Sequence, residues 1–160
     1  MAVDIFLKID GIEGESEDSK HGKEIQILAW SWGMTQIGSH DFGGGGGSGK
    51  VSMQDFNFTT VVSKATTKLQ LACATGKHIP KGVLAVRKAG GKQDDYDIYT
   101  FEDLLISSFQ TGGSSGEAAP TENISFNYAK MKHEYKQQDK AGKLTPAGEF
   151  KYDLKKNEGS

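Results

Sequence analysis

Apolar and polar residues alternate with period two along much of this chain, the pattern of strands that turn one face to a core. From Val3 to Asp10, Ile5, Leu7 and Ile9 share one face, and Phe6 and Lys8 take the other. Gly11 to Gly22 reads as a polar, acidic loop. A second strand, Glu24 to Gly33, is expected to set Ile25, Ile27, Ala29 and Ser31 on one face. Leu28, Trp30, Trp32 and Met34 fall on the other. A third runs from about Lys50 to Phe58. Further strands are expected at Val83–Ala89, Tyr96–Thr100 with Leu104–Phe109, Glu122–Tyr135 and Phe150–Leu154. Turn signals separate them at Gly90-Gly91, Thr111–Gly116 and Ala141-Gly142-Lys143.

One segment changes period. From about Ser63 to Thr75, Leu69, Ala72 and Cys73 recur at helical spacing, Ser63 or Thr60 is a ready N-cap, and Gly76 a C-cap. The whole pattern predicts a mainly β chain of seven or eight strands. It should form an antiparallel β-barrel or sandwich of two packed sheets with one flanking α-helix, in a single domain over residues 1–160.

Composition sharpens one point. Glycine accounts for 21 of 160 residues, nearly twice the usual ~7%, and it is concentrated in loops. Five stand in a row, Gly43 to Gly47, inside a connection spanning about Gly38 to Gly49. A hairpin needs only two to five connecting residues, and polyglycine is the costliest backbone to order. The loop is therefore expected to act outside its own fold.

Charge excludes several partners. The net charge is −2, and Arg87 is the only arginine, the residue that grips phosphate and guanine bidentately, so nucleic acid is not expected. Residues 1–24 hold seven acids and three lysines, whereas residues 130–160 hold eight lysines and five acids. These regions read either as two solvated surfaces or as complementary ends of a repeating assembly. Cys73 is alone and lies in an apolar run, the setting of a buried structural thiol. The first ten residues lack the basic region, apolar stretch and cleavage site of a signal peptide, and no segment suits membrane insertion. Synthesis and folding in the cytoplasm are expected.

Catalytic patterns fail on inspection. Gly44 to Lys50 satisfies the spacing of a phosphate loop, but Val51 stands where Ser or Thr must bind magnesium, and a strand follows instead of a helix. Ser39, His40 and Asp41 are sequence neighbours, whereas working triads converge from distant positions. His21, His78 and His133 have no metal-ligand spacing to one another or to Cys73. Asp94-Asp95 and Glu102-Asp103 read as solvated charges near turns. No enzyme activity, metal or cofactor is expected.

Trp30 and Trp32, at period two, read as core. Ser31 then points outward, together with Ala29 and Ile27. Ile25 and Ile27 would be odd choices for a solvent face, so both faces are expected to be covered, by a second sheet or by a neighbouring subunit.

Several blocks resemble the Hcp family, the tube proteins of bacterial type VI secretion. They are Met1–Ile9, Leu28–Met34, Gly49-Lys50-Val51, Gln54-Asp55, Leu71-Ala72-Cys73 and Gly76-Lys77-His78. Arg87–Gly91, Thr111-Gly112-Gly113 and Thr121-Glu122-Asn123 continue the match in order. The resemblance implies a compact barrel with one helix, six copies closing into a ring, and rings stacking into a tube. Such a tube lies within a contractile sheath beneath a spike protein and is expelled with effectors aboard, without a cleavable signal peptide. On that reading Gly43, Gly44, Gly45, Gly46, Gly47 and Ser48 form a ring-stacking loop, and Ser31 faces effectors in the lumen. A monomeric β-barrel binding a ligand or glycan is the alternative.

Overall fold

The structure, a computed structural model, describes residues 2–38, 48–89 and 93–160. Eleven strands and one helix follow in order: β1 (Val3–Ile9), β2 (Ile25–Gln26), β3 (Ala29–Ser31), β4 (Met34–Gly38), β5 (Ser48–Met53), β6 (Phe56–Val61), α1 (Thr66–Thr75), β7 (His78–Lys88), β8 (Asp95–Gly112), β9 (Thr121–Gln138), β10 (Leu144–Asp153) and β11 (Glu158–Gly159). All pairings are antiparallel. The main sheet runs β11-β10-β9-β8-β7-β1-β2, and β6 joins both β9 and β3. β4 and β5 form a separate two-stranded ribbon that leads into the glycine loop, and Gly43–Gly47 itself lies outside the described residues.

The expected barrel takes the form of a curled sheet. The segment from Ile25 to Ser31 first pairs with β1 and then with β6. Between the two ladders, single bonds from Ile27 N–H to the Ile5 carbonyl (2.9 Å) and from Leu28 N–H to the Thr59 carbonyl (2.8 Å) carry the chain across. The circuit is closed by that joint, with no continuous ladder there.

The joint also corrects the expected faces of the second strand. Ile25 and Ile27 are buried, and three residues later Trp30 packs against the same core, followed by Trp32. The irregular residue Leu28 shifts the alternation by one, so both isoleucines and both tryptophans face inward. Ala29 and Ser31 face out, and Leu28 is left 58% exposed. Both tryptophans are half-buried at the rim of the core. The inference that both faces of this strand were covered therefore falls away.

Strands expected as separate pieces prove continuous, and the reverse. The two pieces around Phe101 are one 18-residue strand, β8. At Asp103, held in the left-handed region at φ 56°, and at the facing Ala129, both β8 and β9 change the side they turn inward. A bulge at Ser107 does so again on β8. The inward positions on β8 are thus Tyr99, Phe101, Leu104, Ile106 and Phe109. The run from Lys50 to Phe58, by contrast, breaks at Gln54-Asp55 into β5 and β6.

The core centres on Phe56, Phe101 and Phe126, each ring 5.1 Å from the other two. α1 covers one side of this core with Leu69 and Ala72. It starts at Thr66, with no side-chain cap at Ala65. Ser63 instead accepts from Ala65 N–H at 3.2 Å, and Thr60 donates to the Gln26 carbonyl. Gly76 caps the C-terminus at φ 64° as expected. Cys73 is half-buried against the core.

The acidic loop is the largest departure from expectation. Residues 11–22 fold back over the outer face of β1 and β7, where Phe6, Ala85 and Arg87 are all about 3% exposed. Gly14 N–H bonds the Lys23 carbonyl at 2.8 Å, and Ser16 N–H bonds that of Glu24 at 3.1 Å. A Cβ at Gly14 would lie 2.4 Å from the Glu24 carbonyl oxygen, so only glycine fits this crossing. Arg87 lies 4.9 Å above the Phe6 ring and donates to both carboxylate oxygens of Asp18. The Leu84–Arg87 part of β7 is consequently buried on both faces.

Candidate functional site

Ser31 is exposed and lies at the end of a row of small polar residues that crosses four strands. It pairs with Asn57 on β6, Asn57 with Ser125 on β9, and Ser125 with Ser108 on β8. A parallel row runs Ala29, Thr59, Asn123 and Gln110. Between the rows, Trp30, Phe58, Ile124 and Phe109 point to the core, as the two-residue period of the strands requires. One face of this sheet region is thus aromatic and buried, and the other is neutral and hydroxyl- or amide-bearing.

The polar groups in the rows are largely satisfied among themselves. Thr59 donates to the Asn123 amide oxygen at 2.7 Å. Ser107, at the bulge, donates to Asp55 at 2.6 Å and is 2.8 Å from the Ser125 hydroxyl, which also meets Ser108 at 2.5 Å. Asp55 is the one charged residue in this group, and its carboxylate is engaged by Ser107. Apart from the Asp55 carboxylate, the rows therefore present neutral side chains, several of them already paired to one another. Such a face offers a neighbour many weak hydrogen bonds and no strong ionic contact.

The outward face of the other half of β8 and β9, with β10, is of opposite character. There Glu134 faces Glu149, Lys132 faces Lys151 and Lys130 faces Asp153. Each like-charged pair is relieved along its own strand: Lys132 reaches Glu134 at 2.7 Å, and Lys151 reaches Glu149 at 3.1 Å. Contact with Glu134 raises the Lys132 ammonium above its usual value, and contact with Lys151 lowers the Glu149 carboxyl. In water, such exposed pairs contribute little stability.

The expected candidates separate cleanly. Ser48 opens β5, whereas Gly43–Gly47 and the Ser39–Asp41 trio lie outside the described residues. Residues 48–53, which include Lys50, form a strand where a phosphate loop would need a helix. The three histidines among the described residues are each tied to carboxylates at separate places: His21 to Glu24 and Asp95, His78 to Asp103 at 2.8 Å, and His133 to Asp97 at 2.5 Å. Asp95 and Asp103, expected as solvated charges, are thus partners of histidines. Asp4, Asp18 and Glu24 are likewise engaged inside the subunit, so the acidic character of residues 1–24 is only partly available to another molecule. Among the described residues, no group of three His, Cys, Asp or Glu is arranged to hold a metal.

Several large apolar side chains remain exposed. Leu71, at 64%, lies on the outer side of α1. Leu28 lies at the β2–β3 joint, Val61 and Val62 at the end of β6, and Met34 at the start of the ribbon. No helix of the described residues is long and apolar enough to cross a membrane.

Comparison with known proteins supplies the context for these surfaces. The family model described as "Type VI secretion system effector, Hcp" matches residues 6–135. Protein hcp1 of Pseudomonas aeruginosa is 50% identical over 153 residues, covering 95% of this chain and 94% of its own length. A solved type six secretion system protein superposes with a TM-score of 0.93 at 31% identity, covering 99% of this chain and 100% of that one. The crystal structure of Hcp1 from Salmonella typhimurium gives 0.80 at 37% identity, with the same coverage.

Proposed function

The chain belongs to the Hcp family of type VI secretion proteins, and on that premise we propose that six copies close into a ring whose channel is lined by the neutral face around Ser31. Members of this family are structural, secreted tube proteins, and this chain is a structural subunit of the type VI secretion tube. Rings stack through the Gly43–Ser48 loop, whose ordering cost is offset by contacts made only on assembly. The stacked tube sits inside the contractile sheath beneath the spike and carries effectors. The subunit is made in the cytoplasm and leaves with the tube.

The observation that carries the lumen assignment is the Ser31–Asn57–Ser125–Ser108 row. A channel that holds unrelated proteins and then releases them is served by short, uncharged, internally satisfied side chains. The exposed Leu28, Leu71, Val61, Val62 and Met34 supply apolar area for contacts between subunits. A heterologous contact that closes on itself gives a ring, and one that does not close propagates along an axis.

Native mass tests the ring directly. The reading expects a species of six times 17.3 kDa at micromolar concentration in dilute, near-neutral buffer. A monodisperse monomer would replace it with the ligand- or glycan-binding barrel.

A further inference from the structure

His21 occupies an unusual position for a residue of a surface loop. It is 8% exposed, and its ring is stacked on Phe6 of β1 with centroids 4.7 Å apart and planes 10° from parallel. On one edge, Nδ1 is 3.0 Å from both oxygens of Glu24. On the opposite edge, Nε2 is 2.9 Å from Asp95 on β8. The carboxylates do not converge on a point; they flank the ring. Lys23, in the left-handed region at φ 63°, makes the tight turn that brings Glu24 back to the Nδ1 edge of the imidazole.

We propose that His21 is a proton-operated latch: as an imidazolium it bridges Glu24 and Asp95 and holds residues 11–22 against β1 and β7, and on losing its proton it lets that segment go.

The chemistry follows from the donor count. A neutral imidazole has one N–H, and its other nitrogen is an acceptor. Between two carboxylates it leaves one acceptor facing another, in a site with little water to relieve the repulsion. Only the imidazolium donates on both edges. Burial alone would lower the pKa of this ring, but the hydrogen bonds and charges of Asp95 and Glu24 outweigh it and hold His21 above its ordinary 6.5.

The surrounding charges are set for the same state. From its own loop, Asp18 accepts the His21 backbone N–H at 3.0 Å. From β7, Arg87 neutralises Asp18, and from β1, Asp4 lies 3.7 Å from Arg87. Lys20 reaches Asp94 beside Asp95 at 3.2 Å. The Arg87 hydrogen bond, against the effect of burial, brings the Asp18 carboxyl down to about 2, helped by the Lys20 and His21 backbone N–H groups.

The sign of the latch is therefore the reverse of an acid-triggered one. A folded-state value above 6.5 means that its stabilisation is complete below 6.5 and is lost as pH rises through the folded value. On the acid side, Asp18 stays ionised until pH approaches about 2. The latch is closed where His21 is charged and opens as pH rises through its folded value, above 6.5.

Hydrogen–deuterium exchange by mass spectrometry tests this on the assembled protein. Exchange of the His21 C2 proton gives its titration midpoint, and amide exchange in peptides spanning 11–24 reports the loop. The midpoint is expected above 6.5. After correction for the intrinsic rise of amide exchange with pH, loop protection should fall across the same midpoint. Peptides of β7 and β9 should hold their protection. Asp95→Asn removes one of the two carboxylates and should move both the midpoint and the loop transition downward together. His21→Gln should loosen the loop and abolish its pH step. A wild-type midpoint at or below 6.5, loop protection that does not follow it, or an Asp95→Asn variant that titrates like the wild type would each overturn the latch, whether or not His21→Gln folds.

Discussion

Trp32 donates its indole N–H to the Tyr128 hydroxyl at 2.5 Å, and that hydroxyl donates onward to the Gln54 carbonyl at 2.9 Å. Trp32 follows β3, Tyr128 lies on β9, and Gln54 sits at the break between β5 and β6. The relay therefore pins the neck of the β4–β5 ribbon to the barrel wall. Gln54 N–H adds a 3.0 Å bond to the Gly33 carbonyl at the same place. The ribbon carries the glycine loop, so a bond inside one subunit governs how firmly the proposed stacking element is held.

Tyr128→Phe should loosen that neck without unmaking the core. The Trp32 N–H and the Gln54 carbonyl would both lose their partner, a loss of ~1–3 kcal/mol. Denaturant unfolding should read that loss, and amide exchange should rise in peptides covering 33–54. Burial pushes the Tyr128 hydroxyl up to about 12, against the effect of the Trp32 hydrogen bond, so the relay keeps its donor across the usable pH range. The wild-type minus variant difference should accordingly be flat from neutral pH into mild alkali. A difference that varies there would mean the hydroxyl is not the group at work.

Asp18→Asn should destabilise the acidic loop in a pH-dependent way. The Asp18 carboxyl is held down to about 2, chiefly by the Arg87 hydrogen bond, against an ordinary value of 3.8. A depressed folded value contributes stability that is present above 3.8 and lost as pH falls toward 2. Thermal unfolding of wild type and variant should differ most above pH 4 and converge near pH 2. Parallel curves over that interval would show that the Arg87–Asp18 pair contributes nothing specific to folding.

The sequence made some of this visible and hid the rest for identifiable reasons. β1 and the outer parts of β8 and β9 follow a clean two-residue alternation, so their inward residues could be read directly. Leu28 could not be read in this way. A single irregular residue, with no glycine or proline to flag it, reverses the faces of everything after it. The Arg87 clamp was hidden by distance, since Asp18 lies 69 residues away and Asp95 lies 74 residues from His21. One signal was present: a lone arginine directly after the apolar run Leu84-Ala85-Val86 calls for a carboxylate from elsewhere in the chain. Ser31 was correctly placed outward, because one reversal moved the isoleucines to the tryptophan face and left Ser31 opposite Trp30. Its row partners Asn57, Ser125 and Ser108 depend on register between strands, which a linear sequence does not carry.

The polyglycine loop should matter to stacking and not to folding. Gly45→Glu or Gly46→Glu would add bulk and charge to a connection that lies beyond the β4–β5 ribbon. Native mass should remain that of the ring and thermal stability should be nearly unchanged, while tube growth and secretion stop. Loss of the ring itself in these variants would move the loop to the contact between neighbouring subunits.

Ser31→Gln tests the lumen assignment itself. Ser31 is exposed, it backs onto the Trp30–Phe58 side of the sheet, and its ladder partner Asn57 is also exposed. A longer amide at this position meets no core residue, so folding should be unaffected and the unfolding midpoint should stay within experimental scatter of the wild type. The same substitution places bulk at the end of the neutral row and should weaken retention of effectors small enough to enter the channel. Because the row carries no free charge, wild-type retention should also change little between low and high salt, unlike a contact built on ion pairs. Co-purification of an effector from the same secretion cluster, with wild-type and Ser31→Gln rings at two salt concentrations, separates the outcomes. Equal recovery by both proteins removes Ser31 from the cargo surface. Rings that fall apart place it at the subunit contact, and retention that collapses in high salt assigns cargo to the charged face of β8, β9 and β10 instead.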